Sequence, residues 1–450
     1  MLPASAAVIG AGLAGCECAV ALADAGIPVT LFEMKPLRFS GAHISPDFAE
    51  LVCSNSFRSE DPHSAVGLLK EEMRDLGSLC MKAADAARVP AGKALAVDRK
   101  LFAAEMTARV SAHPGIRVER REIRSLGAPG DRNPDEAPQG YDVLIVAAGP
   151  LPGNDLAASL AGLTGEDSLY FYDAVAPVVD GATLNRDIIF AGSRRSSEDG
   201  DYLNCPMTRE EYQRFHAALL TGRRFQAHAH EEEKHFEGCM PIETLAERGF
   251  MTLAFGPMKP VGFIDPRTGK RPFALLQLRP ENLNRDMFNL VGCQTKLAHG
   301  EQERVFRLVP GLERVEFTRL GSMHRNTFVN APKVLAGDLS LKSAPGVFLA
   351  GQITGVEGYV ESAACGLWLG RCLAVKAGGK TLPPPPPESA MGALLAHLRA
   401  PNPNFQPSNA QFGLMPPLEI KAGKADRKRL YAERARSSFR SWMFQSTTGV

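Results

Sequence analysis

The pattern of apolar and polar positions is clearest near the start of the chain, where an apolar run precedes a glycine-rich turn. Residues 6–9 are all apolar, which predicts one buried strand. An Ala/Leu-rich segment at 16–25 predicts a helix, and residues 29–32 predict a second strand. The order strand, helix, strand is typical of an α/β protein with a parallel sheet.

Further along the chain, the apolar pattern predicts a parallel sheet that is interrupted and later completed. Residues 141–149 form an apolar run that ends in Ala-Ala-Gly, and residues 346–350 return to the pattern of a buried parallel strand. Between these runs, residues 201–207 predict a turn and residues 250–264 predict a strand. Residues 67–87 carry apolar positions at helical spacing, so they predict a single helix.

A glycine motif lies between the first strand and the first helix. It reads G-x-G-x-x-G and comprises Gly10, Ala11, Gly12, Leu13, Ala14 and Gly15. Gly10 permits the tight turn, Gly12 lets the backbone approach a diphosphate, and Gly15 lets the helix lie close to the strand. Glu33, at the end of the second strand, is placed to accept a hydrogen bond from a ribose 2′-hydroxyl. The motif predicts a dinucleotide site; a glycine-rich turn in another kind of α/β protein is the alternative.

A second glycine-rich turn follows residues 346–350 and runs into an Ala/Gly-rich helix. We predict that Gly351, Gln352, Ile353 and Tyr359 bind the cofactor there. Two such turns far apart in one chain favour FAD over NAD, because one can take the diphosphate while the other approaches the flavin. Tyr359 could stack on the flavin ring, or it could simply pack in the core.

These patterns predict an α/β fold with a Rossmann-like FAD-binding domain and an inserted mixed α/β domain. We assign residues 1–173 to the first part of the FAD-binding domain and residues 174–334 to the insert. Residues 335–450 then return to the FAD-binding domain and end in a basic C-terminal segment.

Composition and charge exclude only a few classes of partner and site. The 450 residues carry 51 Lys and Arg against 50 Asp and Glu, so the whole-chain charge neither supports nor excludes a nucleic-acid partner. Nine cysteines without a C-x-x-C pair favour reduced thiols in the cytoplasm, with no metal site. The chain shows no signal-peptide pattern and no run of about 18 apolar residues, so we expect no membrane partner.

Two cysteines lie in polar loops rather than on apolar helix faces. Cys53 begins the segment CSNSFR, and Cys239 lies in the segment EGCMPIE. A thiolate can add to an electron-poor carbon, and loops often place such groups at a site. From the residues alone, a catalytic role and a packing role are equally open for both cysteines.

Several segments together resemble the TrmFO family, the folate- and FAD-dependent tRNA (uracil-5-)-methyltransferases within the MnmG/GidA-like group of flavoproteins. They are CSNSFR at 53–58, ALAVDR at 94–99, EGCMPIE at 237–243, HRNTF at 324–328 and GQITGVEGYVES at 351–362. The resemblance implies that NADPH or NADH reduces FAD. It also implies that a carbon from 5,10-methylenetetrahydrofolate is delivered to C5 of uridine 54 in the tRNA T loop, giving 5-methyluridine.

The resemblance further implies that Cys53 and Cys239 are the catalytic residues, with Cys239 preferred as the nucleophile. It implies no protein partner. Three other functions remain open: a wobble-uridine modifier of the MnmG/GidA type, a flavin-dependent oxidoreductase acting on a small metabolite, and a non-catalytic flavoprotein or RNA chaperone. The excess of basic residues at 421–440 and the two loop cysteines favour a tRNA substrate over the small metabolite.

Overall fold

The computed structural model describes residues 5–127, 137–167, 169–192, 200–225, 240–420 and 423–448. The strands are β1 (Ala6–Ile9), β2 (Val29–Glu33), β3 (Ser56–Ser59), β4 (Arg88–Val89), β5 (Ala94–Val97), β6 (Ile116–Arg120), β7 (Val143–Val146), β8 (Leu169–Ala174), β9 (Val178–Asp180), β10 (Phe190–Ala191), β11 (Leu203–Met207), β12 (Ala274–Pro280), β13 (Met287–Leu290), β14 (Phe317–Arg319), β15 (Met323–Phe328) and β16 (Val347–Leu349).

The α-helices are α1 (Leu13–Asp24), α2 (Ala65–Asp75), α3 (Leu79–Ala86), α4 (Arg99–Ser111), α5 (Asn154–Thr164), α6 (Arg209–Thr221), α7 (Ile242–Glu247), α8 (Thr252–Phe255), α9 (His299–Phe306), α10 (Ala331–Val334), α11 (Tyr359–Ala377), α12 (Ala390–Arg399) and α13 (Lys424–Thr448). Short 3-10 helices occur at Gly181–Thr183, Gly351–Thr354 and Phe412–Leu414. None of the helices in the described ranges has the length and apolar composition needed to cross a membrane.

A five-stranded parallel sheet has the order β16-β7-β1-β2-β6. Strand β1 lies at its centre, and all four of its residues are buried, as the apolar run predicts. Strand β16 comes from near the other end of the chain, so the late segment completes the sheet that the early segment begins. This arrangement confirms the predicted Rossmann-like α/β class.

A six-stranded sheet with the order β10-β11-β12-β13-β9-β14 is antiparallel throughout. It carries its own hydrophobic core, separate from the core around the parallel sheet. Strands β8 and β15 form a two-stranded antiparallel ribbon, and β3, β5 and β4 form a small third sheet. The exact domain boundaries at 173/174 and 334/335 stay a prediction.

Three of the predicted elements are wrong. Residues 201–207 are not a turn, because they contain β11. Strand β12 pairs with all of β11, whereas β10 pairs only with the first two residues of β11. The side of β11 that faces β10 is therefore unpaired at Pro206, so the missing N–H of this proline is tolerated. Residues 250–264 do not form a strand, since they contain α8 and proline-rich turns. Residues 67–87 form two helices rather than one, because the chain turns at Gly77, whose φ is +83°.

Small residues let α1 and α11 lie in close contact. A Cβ atom at Gly366 would lie 2.1 Å from the carbonyl oxygen of Ala14, and one at Gly370 would lie 2.8 Å from that of Cys18. At the start of the second glycine turn, a Cβ atom at Gly351 would lie 2.7 Å from the Cβ atom of Ala14. The helix packing therefore sets the two glycine turns side by side.

Candidate functional site

One cavity lies at the carboxyl ends of strands β1, β2, β7 and β16, where α/β proteins usually bind ligands. It contains about 1100 Å³ of space including its open mouth. The predicted cofactor residues that line it are Gly10, Ala11, Gly12, Leu13, Ala14, Glu33, Gly351, Gln352 and Tyr359. The fold therefore brings the two glycine turns into one site.

The glycines of the first turn differ in their surroundings. Gly10 has a φ of +100°, a conformation that favours glycine. A Cβ atom at Gly15 would lie only 1.8 Å from the carbonyl oxygen of Gly10, whereas a Cβ atom at Gly12 would meet no atom within 4 Å. Gly10 and Gly15 thus allow the turn itself, while Gly12 leaves open space beside the cavity.

The amino end of α1 opens on this cavity. Gly12 is the N-cap residue, and no side chain caps the helix or places an acid in its first turn within the described residues. Unpaired N–H groups and the positive end of the helix dipole favour an anion there. The residues therefore fit the diphosphate of a dinucleotide.

Glu33 is buried and holds the first turn in place. Its Oε2 atom accepts a hydrogen bond from the Ala11 N–H at 2.9 Å, and its Oε1 atom accepts one from the Lys35 N–H at 2.9 Å. A carboxylate has about four acceptor positions. Since Glu33 also lines the cavity, the predicted ribose contact is compatible with these two bonds and stays a prediction.

Three predicted site residues in the part of the chain that the structure describes do not line the cavity: Gly15, Ile353 and Cys53. Gly15 lies beneath the turn, as its close approach to Gly10 requires. Ile353 is 1% exposed and belongs to the hydrophobic core. Cys239 lies outside the described residues, so its predicted role stays a prediction.

Cys53 lies next to the cavity and is joined to the second turn by Tyr359. The Tyr359 hydroxyl oxygen accepts hydrogen bonds from the N–H groups of Cys53 at 2.8 Å and Ser54 at 3.3 Å. Val52, one residue earlier, lines the cavity itself. Cys53 is partly exposed, whereas every other cysteine among the described residues is buried. The structure therefore brings one of the two predicted catalytic cysteines to the predicted cofactor site.

The surroundings of Cys53 keep its thiol protonated at neutral pH. Burial raises the pKa of the thiol to about 12, and the nearby Asp173 carboxylate acts in the same direction. The Tyr359 hydroxyl and the Arg99 guanidinium lower this pKa, but by less. Attack by Cys53 would therefore require a base, or a change of charge when a substrate binds.

Arg99 supports the loop that carries Cys53, although sequence reasoning did not assign it a site role. It begins α4, donates a hydrogen bond to the Leu51 carbonyl at 2.5 Å, and forms a buried ion pair with Glu281. Arg99 closes the ALAVDR segment, so the resemblance offered a signal that could have pointed to it.

Two further arginines reach the same loop from the antiparallel sheet. Arg279 on β12 donates to the Ser54 hydroxyl at 2.7 Å and to the Asn55 side-chain oxygen at 2.8 Å. Arg319 on β14 donates to the Val52 carbonyl at 3.0 Å, while its Nε and Nη2 atoms are buried without a hydrogen-bond partner. The loop is thus held by arginines from α4, β12 and β14, and Glu281 pairs with one of them.

His43 is another cavity residue that sequence reasoning did not single out. Its Nδ1 atom lies 2.6 Å from the Ser40 hydroxyl. Burial lowers the pKa of His43 to about 4, and the positive charge of Lys35 adds to this shift, so the ring is neutral at pH 7. No group of three or more potential metal ligands occurs within the described ranges.

The fold and the glycine-lined cavity define a Rossmann-like dinucleotide-binding protein. The family model for glucose inhibited division protein A matches residues 5–381 of the chain. A relative from Oleidesulfovibrio alaskensis, methylenetetrahydrofolate–tRNA-(uracil-5-)-methyltransferase TrmFO, is 63% identical over 438 residues, which is 97% of each chain. The protein of the same name from Geobacter sulfurreducens is 54% identical over 97% of this chain and 98% of its own.

The chain belongs to the TrmFO family within the glucose inhibited division protein A group, as the sequence motifs predict. Among solved structures, GidA from Aquifex aeolicus is similar with a TM-score of 0.69 and 17% identity, over 97% of this chain and 73% of that one. At this low identity the likeness supports the shared fold alone.

Proposed function

We propose that this protein is an FAD-dependent methylenetetrahydrofolate–tRNA-(uracil-5-)-methyltransferase. The observation that carries the proposal is the 2.8 Å hydrogen bond from the Cys53 N–H to the Tyr359 hydroxyl, because it places a thiol beside the dinucleotide cavity. An ordinary dehydrogenase would not need a cysteine there. The close relatives that carry this enzyme's name over nearly their full length support the same function.

The chain's own residues would hold FAD at both ends of the cavity. The amino end of α1 and the open space at Gly12 suit the diphosphate, and Glu33 suits the ribose. Gly351, Gln352 and Tyr359 would lie near the flavin. When bound, FAD supplies the hydride that completes the methyl group.

The proposed chemistry explains the need for a thiol. Uracil C5 is a poor nucleophile until a thiolate adds to C6 and converts the ring to an enolate. The enolate carbon C5 then bonds to the methylene carbon, and loss of the C5 proton releases the folate nitrogen from that carbon. Addition of a hydride to the same carbon completes the methyl group and expels the thiolate from C6. Cys239 is our preferred nucleophile. Cys53, which rests protonated, suits the assisting role in proton transfer or turnover.

The finer points of this function rest on the resemblance in the sequence. We propose that the target is uridine 54 of the tRNA T loop, that the product is 5-methyluridine, and that NADPH or NADH is the reductant. We also propose that the protein works in the cytoplasm. The wobble-uridine alternative is less well supported, since the chain is 63% identical to a TrmFO protein but only 17% identical to the GidA structure.

Purified protein incubated with unmodified tRNA, NADPH or NADH, and labelled methylenetetrahydrofolate would test the proposal. We expect a yellow protein with flavin absorbance and labelled 5-methyluridine in the digested tRNA. A carboxymethylaminomethyl-type uridine would identify a wobble modifier instead. A yellow protein without RNA modification would favour an oxidoreductase of small metabolites, and a protein that binds no FAD would refute the whole proposal.

Cysteine variants would test the catalytic assignment separately. We expect Cys53→Ala and Cys239→Ala to lose methylation while keeping bound flavin. Cys372→Ala is a suitable control, because this buried thiol lies on α11 and does not line the cavity. Unchanged methylation in both catalytic variants would contradict the assignment.

A further inference from the structure

A shallow groove lies on the antiparallel sheet, at the end of β12 that is remote from Cys53. It contains about 1050 Å³ of space including open solvent. The residues that matter for its chemistry are Arg209, Met251, Phe255, Thr268, Lys270 and Arg271. We call this surface the Phe255 groove, and it shares no lining residue with the cofactor cavity beside Cys53.

An exposed aromatic ring is the main feature of the Phe255 groove. The side chain of Phe255 is 71% exposed, and Met251 beside it is 38% exposed. The backbone beside this ring is held in place, since the Gly256 N–H bonds to the Thr252 carbonyl at 2.9 Å and the Met258 carbonyl bonds to β12. Adjacent exposed apolar side chains in a groove suit a binding site.

Positive charge surrounds this ring. Arg209, Lys270 and Arg271 are exposed, and none of them has a carboxylate partner among the described residues. The carboxylate that lines the groove, Asp265, is already paired with Arg267 at 2.9 Å. The whole chain has a net charge of only +1, so the groove concentrates cations that other parts of the chain balance. Its charge complements a polyanion.

The distance to the reaction site indicates the size of that polyanion. Strand β12 runs from Ala274, beside the groove, to Arg279, which contacts the Cys53 loop. Five residue steps at about 3.3 Å each span roughly 17 Å. A folded RNA is large enough to contact both places at once.

We infer that the Phe255 groove binds the tRNA substrate away from the reacting uridine. An unpaired base stacks on Phe255, and phosphates contact Arg209, Lys270 and Arg271. Base stacking on an aromatic ring and phosphate contacts by cations are the usual means of binding unpaired nucleic acid. This inference rests on the proposed function, because it takes tRNA as the substrate.

Binding of unmodified tRNA to the full-length, FAD-loaded protein at several salt concentrations would test the inference. We expect Phe255→Ala to weaken the affinity about tenfold without changing the salt dependence. The triple variant Arg209→Ala, Lys270→Ala, Arg271→Ala should reduce the slope of log affinity against log salt by about 2 to 3. Phe255→Trp should keep the affinity, whereas Phe255→Leu should not restore it.

Two control variants match these changes elsewhere on the surface. Phe444→Ala removes a side chain that is 70% exposed. The triple variant Lys82→Ala, Arg314→Ala, Lys380→Ala removes the same charge from exposed positions outside the groove. We expect both controls to bind tRNA like the unmodified protein.

Kinetic measurements would separate this inference from the proposed function. The groove variants should raise KM for tRNA at least as much as they weaken binding, while flavin content and kcat at saturating tRNA stay unchanged. If the unmodified protein neither binds nor methylates tRNA, the proposed function fails. If it does both and the groove variants behave like the controls, or Phe255→Leu binds as well as the unmodified protein, the inference is overturned.

Discussion

Gly12 and Gly15 belong to one motif, yet the structure predicts opposite consequences for the same substitution. In Gly15→Ala the new Cβ atom would lie 1.8 Å from the Gly10 carbonyl oxygen, whereas ordinary contact begins at 3.4 Å, so the helix must retreat by about 1.6 Å (3.4 minus 1.8). Overpacking of this kind costs about 1–3 kcal/mol. The better helix propensity of alanine offsets about 1 kcal/mol. We expect a net loss of about 1 kcal/mol, with an upper limit of about 2 kcal/mol.

Gly12→Ala should leave the stability of the FAD-free protein almost unchanged. Its Cβ atom meets nothing within 4 Å, and the backbone at φ −77° and ψ −171° suits alanine. Alanine lowers the conformational entropy of the unfolded chain, and this stabilisation of about 0.4–1 kcal/mol offsets the poorer capping by alanine, about 0.5–1 kcal/mol. The methyl group would instead occupy the space left for the diphosphate, so FAD binding should fall sharply.

Denaturant unfolding with and without added FAD would measure both effects. FAD at about 100 times its Kd should stabilise the unmodified protein by about 2.7 kcal/mol, and Gly12→Ala should lose this gain. Gly15→Ala should already be destabilised without FAD. The reasoning would be refuted if Gly12→Ala destabilised the FAD-free protein as much as Gly15→Ala, or if it bound FAD normally.

Three further predictions concern the second turn and the Cys53 loop. Tyr359→Phe leaves the N–H groups of Cys53 and Ser54 without their acceptor, so we expect the free energy of unfolding to fall by about 1–3 kcal/mol in urea titrations; an unchanged value would contradict this. Burial and the neighbouring Asp173 carboxylate raise the pKa of Glu357 to about 8. The native state then binds more protons than the unfolded state between about pH 4.3 and pH 8, so stability should fall as the pH rises through that window. Glu357→Gln should flatten this profile, and an equally steep profile in the variant would show that other groups cause it. Cys53, with a thiol pKa of about 12, should react with iodoacetamide at pH 7 more slowly than a free cysteine in peptide mass spectrometry, and faster labelling would mean that the thiolate is already formed.

Local residue patterns were sufficient for much of the nucleotide site. The apolar run at Ala6–Ile9 and the glycines after it specify a strand and a turn through short-range sterics, and both occur as predicted. Helix α1 is also present, although it begins at Leu13, before the predicted start at residue 16. The motifs were also sufficient to identify the family, because they are spread over nearly the whole chain.

Patterning was insufficient where distant contacts decide the local structure. The segment 201–207 contains proline and polar residues, yet it forms β11 because β12 pairs along its whole length. The residues that surround Cys53 come from α4, β12 and β14, and no spacing in the sequence links them. The burial of a side chain at such a site, and the charges near it, depend on which helices and strands pack around it.

The sequence by itself determined the two glycine turns, the acid at Glu33 and the loop position of Cys53, since each is a local feature of the chain. Only the tertiary structure decided that Gly351 lies against Ala14 and that Tyr359 holds the Cys53 loop. The physical reason is that α1 packs closely against α11, with glycines at the contact. This packing brings together two glycine turns that are far apart in the sequence. Burial in that assembly then sets the pKa of Cys53, which no local pattern can specify.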